Sequence, residues 1–254
     1  MKVRIRNFFK LFLLICLAYG HSLSGSGQIQ IGINGGYNIF HVFVDNTGRD
    51  NANYEGLNNS FAIGFTASHS LSNVVNLAYC LEYLKQSYNV MASWGGAGGG
   101  SRADLDITAH IIDIQMYPQF VFGNKVTFFF YPGISLSKVV HSSRQGVVTA
   151  HSPFSPDPVT DTINDSAQDL YPWMQFGLLI GCGLDIPVTD KISVSFENKT
   201  SFDLGGPTFG STTGHFLNSR FLLGVHYYLK SKNPSITIES SSEGRINTRK
   251  LQYK

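Results

Sequence analysis

The longest polar stretch of the chain contains the side chains best suited to binding a metal. His141 and His151 are followed by Asp157, Asp161 and Asp165. Imidazole and carboxylate groups are common metal ligands, but zinc sites repeat their ligands at short, regular spacings that these five residues do not show. We therefore interpret the stretch as a solvated loop, and we expect neither a metal nor any other cofactor.

Two pairs of residues could supply a nucleophile and a base, namely His69 with Ser70 and His215 with Ser219. Acyl transfer by a serine needs a hydroxyl, a base and a group that orients the base, all converging on one point. No such third group is indicated by the spacing. The glycine-rich residues 95–100 are not followed by the Lys-Ser or Lys-Thr pair of a phosphate-binding loop. We therefore predict that the protein is not an enzyme.

A different pattern connects five charged residues, because each falls on the polar side of a segment in which apolar and polar residues alternate. Alternation with a period of two is typical of a β-strand with one polar face. Charges of both signs on such a face should pair, since an unpaired buried ion costs several kcal/mol. We expect a network of salt bridges, with an ion path or a small-solute site as the alternative. The residues are Glu82, Asp113, Glu197, Lys199 and Arg220.

The segments that position these charges begin after residue 28, where the dominant period is two rather than 3.6. The two faces differ in composition, one being rich in Ile, Phe, Val, Leu and Tyr and the other in Gly, Ser, Thr, Asn and Gln. We expect a bulge at Pro132, which cannot donate to a strand ladder. Cys80 and Cys182 fall on opposite faces, so we expect two free thiols. The eight predicted strands cover residues 28–39, 60–68, 75–83, about 107–122, 126–137, 174–185, 192–199 and 218–229.

The connections between the strands alternate strictly between two lengths. Short turns are predicted at 70–73, 123–125 and 188–191, and long polar loops at 44–58, 92–104, 141–169 and 205–214. All long loops must then emerge from one end. This is the pattern of an eight-stranded antiparallel up-and-down transmembrane β-barrel, with short periplasmic turns and long extracellular loops. In that fold the apolar face contacts lipid and the polar face lines the lumen. A soluble lipocalin-like barrel would need more surface charge than 14% charged residues supply.

The two ends of the chain differ from the barrel in composition. Residues 1–27 have the layout of a secretory signal, with four basic residues, an apolar run at 11–19 and small residues at 22–27. Cleavage could follow Gly20, Ser26 or Gly27. Removing this segment leaves 15 basic and 17 acidic residues, which predicts no nucleic-acid partner. For residues 231–254 we expect a disordered periplasmic tail, with a segment that binds a partner or the cell wall as the alternative.

The last predicted strand resembles the terminal-strand signal read by the outer-membrane insertion machinery. Gly224 is followed at the third and fifth positions by Tyr227 and Leu229, whereas Leu222 departs from the polar residue that starts such a signal. The resemblance implies that the insertion machinery is a partner during biogenesis.

Residues 28–230 resemble the PorT-like outer-membrane β-barrel family, whose members are often called porin-family proteins. The similarity is one of pattern: the opening strand at 32–38, the strand at 112–122 leading through Gly123 to an aromatic strand, and residues 181–185 followed by 189–191. It implies a bacterial outer membrane location with lipid as the surroundings, and it brings no catalytic motif.

Three functional hypotheses follow. The first is a structural or partner-binding barrel without catalysis. Because some members of the family assist secretion of other proteins, the second is an accessory factor that contacts secretion-system proteins. The third is a narrow channel for small solutes, although an eight-stranded barrel is only wide enough for its own side chains.

Overall fold

The computed structural model describes residues 28–45, 51–54, 58–96, 99–123, 125–151, 157–209 and 212–229. The predicted signal segment and the predicted tail lie outside these residues. The strands are β1 (Ile29–Asp45), β2 (Asn51–Tyr54), β3 (Asn58–Ser70), β4 (Val75–Gly96), β5 (Gly99–Phe122), β6 (Thr127–His151), β7 (Val159–Ser166), β8 (Gln175–Pro187), β9 (Ile192–Asp203), β10 (Thr208–Phe209) and β11 (Thr212–Tyr228). A single 3-10 turn, Gln168–Leu170, precedes β8.

Eight of these strands form a closed ring in the order β1-β3-β4-β5-β6-β8-β9-β11. Each pairs antiparallel with its neighbours, and β11 pairs with β1 from Gln30↔Tyr228 to Asp45↔Thr213, which closes the ring. Each of the other three strands pairs with one strand of the ring: β2 with β4, β7 with β6 and β10 with β11. The predicted eight-stranded up-and-down barrel is confirmed.

The outer surface of the ring is apolar, as the alternation predicts. Side chains such as Ile33, Phe176 and Ile180 are more than 60% exposed, which is unfavourable in water and favourable in lipid. Their neighbours along each strand point into the lumen. Cys182 lies on the outer face and Cys80 inside, and both are free thiols, as expected. No helix among the described residues is long and apolar enough to cross a bilayer.

All three short turns lie at one end of the ring. Two of them share one design, in which a hydroxyl accepts from the backbone N–H groups that follow: Ser72 from Val74 and Val75, and Thr189 from Lys191 and Ile192. The third turn depends on Gly123, whose φ of 100° is strained for any residue with a Cβ. These turns confirm the predicted short connections.

The opposite end differs from the prediction. The segments 92–104 and 141–169 are predicted to be loops, but residues 92–96 continue β4, 99–104 belong to β5 and 141–151 continue β6. These three strands are 22, 24 and 25 residues long. The predicted start of the fourth strand near residue 107 is therefore also wrong. We call this region, residues 85–96, 99–110 and 141–151 with β2 and β7, the outer extension.

The reason for the error is an inversion of polarity. In the membrane band most outward residues are apolar, whereas in the outer extension most inward residues are apolar and most outward residues are polar. On β4, Tyr88 and Val90 are buried while Ser87 is exposed; on β5, Leu105 is buried while Asp104 is exposed. The alternation with a period of two continues through the outer extension. Its many polar residues, however, are typical of loops, which is why the sequence pattern predicts loops there.

The irregularity predicted at Pro132 is also misplaced. Pro132 pairs in register with Ile180 of β8. On the other side, β5–β6 pairing stops after Met116↔Ile134 and resumes at Phe120↔Phe130 with the register unchanged. The register shift occurs instead between His110 and Ile111, where Val140 is the extra residue on β6. In this register Pro132 faces Pro118, so two missing donors interrupt the ladder and no residue is inserted.

Candidate functional site

The five charged residues expected to pair lie together in the lumen. Glu82 comes from β4, Asp113 from β5, Glu197 and Lys199 from β9, and Arg220 from β11. The ladder aligns Glu82 with Asp113 and Lys199 with Arg220, which sets two acids on one wall and two bases on another. Each of the five is no more than 9% exposed.

Arg220 is the centre of the network. Its guanidinium contacts a carboxylate oxygen of Glu82, lies 3.4 Å from Asp113 Oδ2 and donates to the hydroxyl of Ser201. A planar guanidinium has five N–H donors and can bind several oxygens at once. Arg220 therefore joins acids from two neighbouring strands to its own side of the ring.

Lys199 is the second cation. Its Nζ lies 3.8 Å from Glu82 Oε1 and 3.5 Å from Glu197 Oε1. The same ammonium lies 5.8 Å from the ring centroid of Tyr117, which is within the range of a cation–π contact. The hydroxyl of Tyr131 donates to Glu197, and the Tyr117 and Tyr131 rings stack at 4.0 Å.

Neutral side chains complete the hydrogen bonding of the acids. Gln115 Nε2 donates to Glu82 Oε2 and to Asp113 Oδ2, each at 2.7 Å, and the hydroxyl of Ser137 donates to Asp113 Oδ1 at 3.0 Å. Sequence reasoning placed Gln115, Ser137 and the two tyrosines on polar faces but did not identify them as partners. A partner across a lumen cannot be read from one strand.

A second polar cluster lies nearer the short turns. Tyr228 donates to Asp185 Oδ2 at 2.6 Å, and His226 Nδ1 lies 3.7 Å from Asp185 Oδ1. Gln30 Nε2 lies 3.0 Å from His226 Nδ1, and Ser68 donates to Gln30 Oε1 at 3.0 Å. Both ends of the membrane band are therefore filled by hydrogen-bonded side chains.

Above the charges the lumen becomes apolar. Gln86 and Asn38 donate to Asn218 Oδ1 at 2.6 Å and 3.3 Å, forming the last polar layer. Beyond it the rings of Phe40, Tyr88 and Phe216 meet edge to face, with centroids 5.8–6.2 Å apart. The hydroxyls of Tyr88 and Tyr171 are 2.5 Å apart. An aromatic cluster thus covers the ion network on its extracellular side.

The residues considered for metal binding are not assembled into a site. Asp165 pairs with Arg144 at 2.6 Å, and the His141 ring packs 5.6 Å from that of His110. Within the described ranges no group of three or more His, Cys, Asp or Glu side chains could hold a metal ion. Residues 97 and 98 of the glycine-rich run lie outside the description, and 96 and 99 pair as a hairpin.

The candidate nucleophile and base pairs do not converge either. His215 and Ser219 lie four residues apart on one strand, about 14 Å at 3.4 Å per residue. His215 Nδ1 is 3.3 Å from the carbonyl oxygen of Asp203, while Ser219 contacts Thr200 at 3.2 Å. His69 and Ser70 end β3 next to a short turn, far from the charged lumen.

The candidate insertion signal lies on β11. Tyr227 and Leu229 face outward, 41% and 53% exposed. Gly224 faces the lumen, where a Cβ would collide with the Ser195 hydroxyl. The placement on the strand that closes the ring suits such a signal, and its recognition by the insertion machinery stays a prediction.

Comparison with known proteins gives a family match and several similar structures. Residues 21–205 match the family model described as "Outer membrane protein beta-barrel domain". Neisserial surface protein A is 10% identical over 80% of this chain and 99% of its own, with a TM-score of 0.44. The outer membrane protease OmpT of Escherichia coli is 10% identical over 79% and 96%, with a TM-score of 0.45. OprG of Pseudomonas aeruginosa is 12% identical over 80% and 96%, with a TM-score of 0.39. No curated protein matches the sequence significantly.

Proposed function

Because the chain belongs to the outer membrane protein β-barrel domain family, we propose that it is a non-catalytic scaffold of the bacterial outer membrane that presents a preformed β-sheet to a partner outside the cell. The barrel is the anchor, and the outer extension is the binding element.

This proposal rests on the unequal lengths of the strands. β8 and β9 are 13 and 12 residues long, which is enough to cross the membrane once at a tilt. β6 has 25 residues, so at 3.4 Å per residue it is about 40 Å longer than β8. Three neighbouring strands of this length form a sheet that projects from one side of the barrel.

The outer extension has its own packed interior. Ala103, Leu105, Ile107 and Ala109 of β5 are all 6% exposed or less, and they pack with residues of β4 and with Tyr171. A surface that is folded before binding loses less conformational entropy when a partner binds. Mobile loops would lose more, so the packed sheet supports a binding role better than the loops expected from the sequence.

β7 offers an edge for such a partner. Within the described residues it pairs only with β6, and seven of its eight residues are exposed. An edge strand presents unpaired backbone groups, and extended segments of other proteins bind edges by adding a strand. Val159 is 68% exposed and would contact such a segment.

The filled lumen supports a structural role for the ion network rather than transport. Charged, polar and aromatic layers follow one another from Asp185 to Tyr171, and eight strands leave room for side chains only. A role in secretion, as in some PorT-like proteins, stays a hypothesis, and it predicts that deletion leaves exported proteins in the periplasm.

Photo-crosslinking in living cells tests the proposal. A photoreactive amino acid at Thr160 of β7 should form one discrete adduct with a macromolecule, because the partner lies on that edge. The same group at Lys191, in a periplasmic turn, is the matched control and should not give that adduct. Absence of an adduct from β7, or the same adduct from both positions, would contradict the proposal.

A further inference from the structure

Four basic side chains meet on the outer surface of the barrel where its apolar band ends. The ladder places Lys85, His110 and His141 side by side on β4, β5 and β6. Lys138 of β6 also faces outward but lies nearer the apolar band, where it pairs with Ile112 of β5. We call Lys85, His110, His141 and Lys138 the basic row.

The side chains of the basic row are close enough to act on one ligand. Adjacent strands are about 4.8 Å apart, so three strands span about 10 Å. The rings of His110 and His141 lie 5.6 Å apart, and the hydroxyl of Tyr83 bonds to His110 Nδ1. Lys138 Nζ lies 5.1 Å from the centroid of the Trp173 ring, an aromatic residue of the kind found at membrane interfaces.

Among the described residues, no acid pairs with a side chain of the basic row. The salt bridges among the described residues include none of the four side chains of the basic row. The first acid further out on β5 is Asp106, four residues from His110, or about 14 Å along the strand, which exceeds the Debye length of about 8 Å at physiological salt. Asn89 donates to both Asp106 and Asp104.

The position relative to the membrane indicates the ligand. Directly below the basic row the outward side chains are apolar, with Ile112 37% and Met116 44% exposed. Directly above it Ser87 and Ser143 are exposed and polar. A ligand seated here would have acyl chains on the apolar side and an anionic group at the level of the row. We propose that the basic row binds the phosphorylated headgroup of a lipid in the outer leaflet.

The experiment uses the full mature barrel in phosphatidylcholine nanodiscs that contain diphosphorylated lipid A, or the same lipid with its phosphates removed. Lipid retained by the protein is counted by native mass spectrometry. Wild-type protein should prefer the phosphorylated form. Replacing both lysines, Lys85→Gln with Lys138→Gln, should reduce that preference roughly 30-fold, from about fivefold per basic side chain at an anionic surface. An undiminished preference in this variant would overturn the proposal.

Matched controls keep the result interpretable. Lys125→Gln with Lys191→Gln removes the same charge from exposed periplasmic turns and should leave the preference unchanged; an equal loss there would show that net charge alone attracts the lipid. His110→Gln with His141→Gln is a second test that spares both lysines and should also weaken binding. If inorganic phosphate bound the barrel as tightly in nanodiscs that lack lipid A, and the wild type showed no preference for the phosphorylated lipid, the site would be one for free phosphate and the lipid proposal would be overturned.

Discussion

Arg220 on β11 binds Glu82 on β4 across the lumen, although the two strands lie three positions apart around the ring. The residues are 138 positions apart in the sequence, and their side chains are 1% and 0% exposed. No backbone ladder joins these strands, so this ion pair and its neighbours link opposite walls of the barrel directly.

Replacing Arg220 by Met is expected to destabilise the barrel strongly. The variant leaves Glu82 and Asp113 buried without their main cation, and removal of one partner of a buried ion pair costs about 3–5 kcal/mol. The free energy of unfolding in urea, measured on protein folded in detergent micelles, gives the cost.

Arg144→Met is the control for that substitution. Its salt bridge joins Asp165, whose side chain is 53% exposed, and an exposed pair contributes about 0–1 kcal/mol. The double variant Glu82→Gln with Arg220→Met should lose less than the two single losses together, because it removes both charges. An Arg220→Met barrel as stable as the control would disprove the central role of this pair.

The purified barrel should be electrically silent in planar bilayers. The ion network, the cluster around Asp185 and the aromatic rings near Phe40 occupy the lumen in successive layers, and in a ring of eight strands we expect such layers to block the passage of ions. Steady single-channel conductance from wild-type protein would show that the layers open, and would favour the channel hypothesis instead.

Gly123→Ala should slow folding and lower stability by about 1–2 kcal/mol, since a residue with a Cβ is strained at positive φ. The added Cβ would also meet the carbonyl oxygen of Val126. Gly205→Ala is the matched control, because a Cβ there meets nothing nearer than Pro172 Cγ at 3.9 Å. Refolding into micelles, followed by the heat-dependent shift in gel mobility, compares the two; equal effects would argue against the turn requirement.

Acid should loosen the β6–β7 pairing. The hydrogen bond from Arg144 lowers the pKa of the Asp165 carboxyl below its ordinary value. A depressed pKa means that the carboxylate contributes stability above the ordinary pKa of about 4 and loses it as pH falls through the depressed value. NMR titration of the Asp165 carboxyl, together with protease cutting of β7 between pH 7 and pH 2.5, measures both effects.

Arg144→Gln should bring the pKa of Asp165 back up and shift the loosening of β7 to higher pH. Arg102→Gln removes the same charge from the outer extension without touching Asp165 and should change neither. A titration of Asp165 that is the same in wild type and Arg144→Gln would show that the salt bridge is absent in solution.

The alternation of side chains was sufficient to predict the barrel, the side of each strand that contains Glu82 and Arg220, and the short turns. These features depend on neighbours along one strand, where the period of two is visible directly. The same alternation was sufficient to predict that Cys80 and Cys182 lie on opposite faces of the sheet.

The outer extension was missed because alternation does not say which face is buried. Ser87, Tyr88 and Asp104 alternate as regularly as the membrane band does, but with the opposite sense, since water rather than lipid surrounds this part of the sheet. The shift of register at Val140 was missed because a bulge is a property of two paired strands, whereas Pro132 is visible in one.

The amino-acid sequence by itself determined that the chain makes two-faced strands, that eight of them form the barrel and which charges point inward, because the alternation that shows these properties is local. Only the tertiary structure decided that Arg220 meets Glu82, that Tyr131 meets Glu197 and that Lys85 stands beside His110 and His141. Those contacts depend on ring closure and on the stagger between strands, which bring together residues that no local pattern connects.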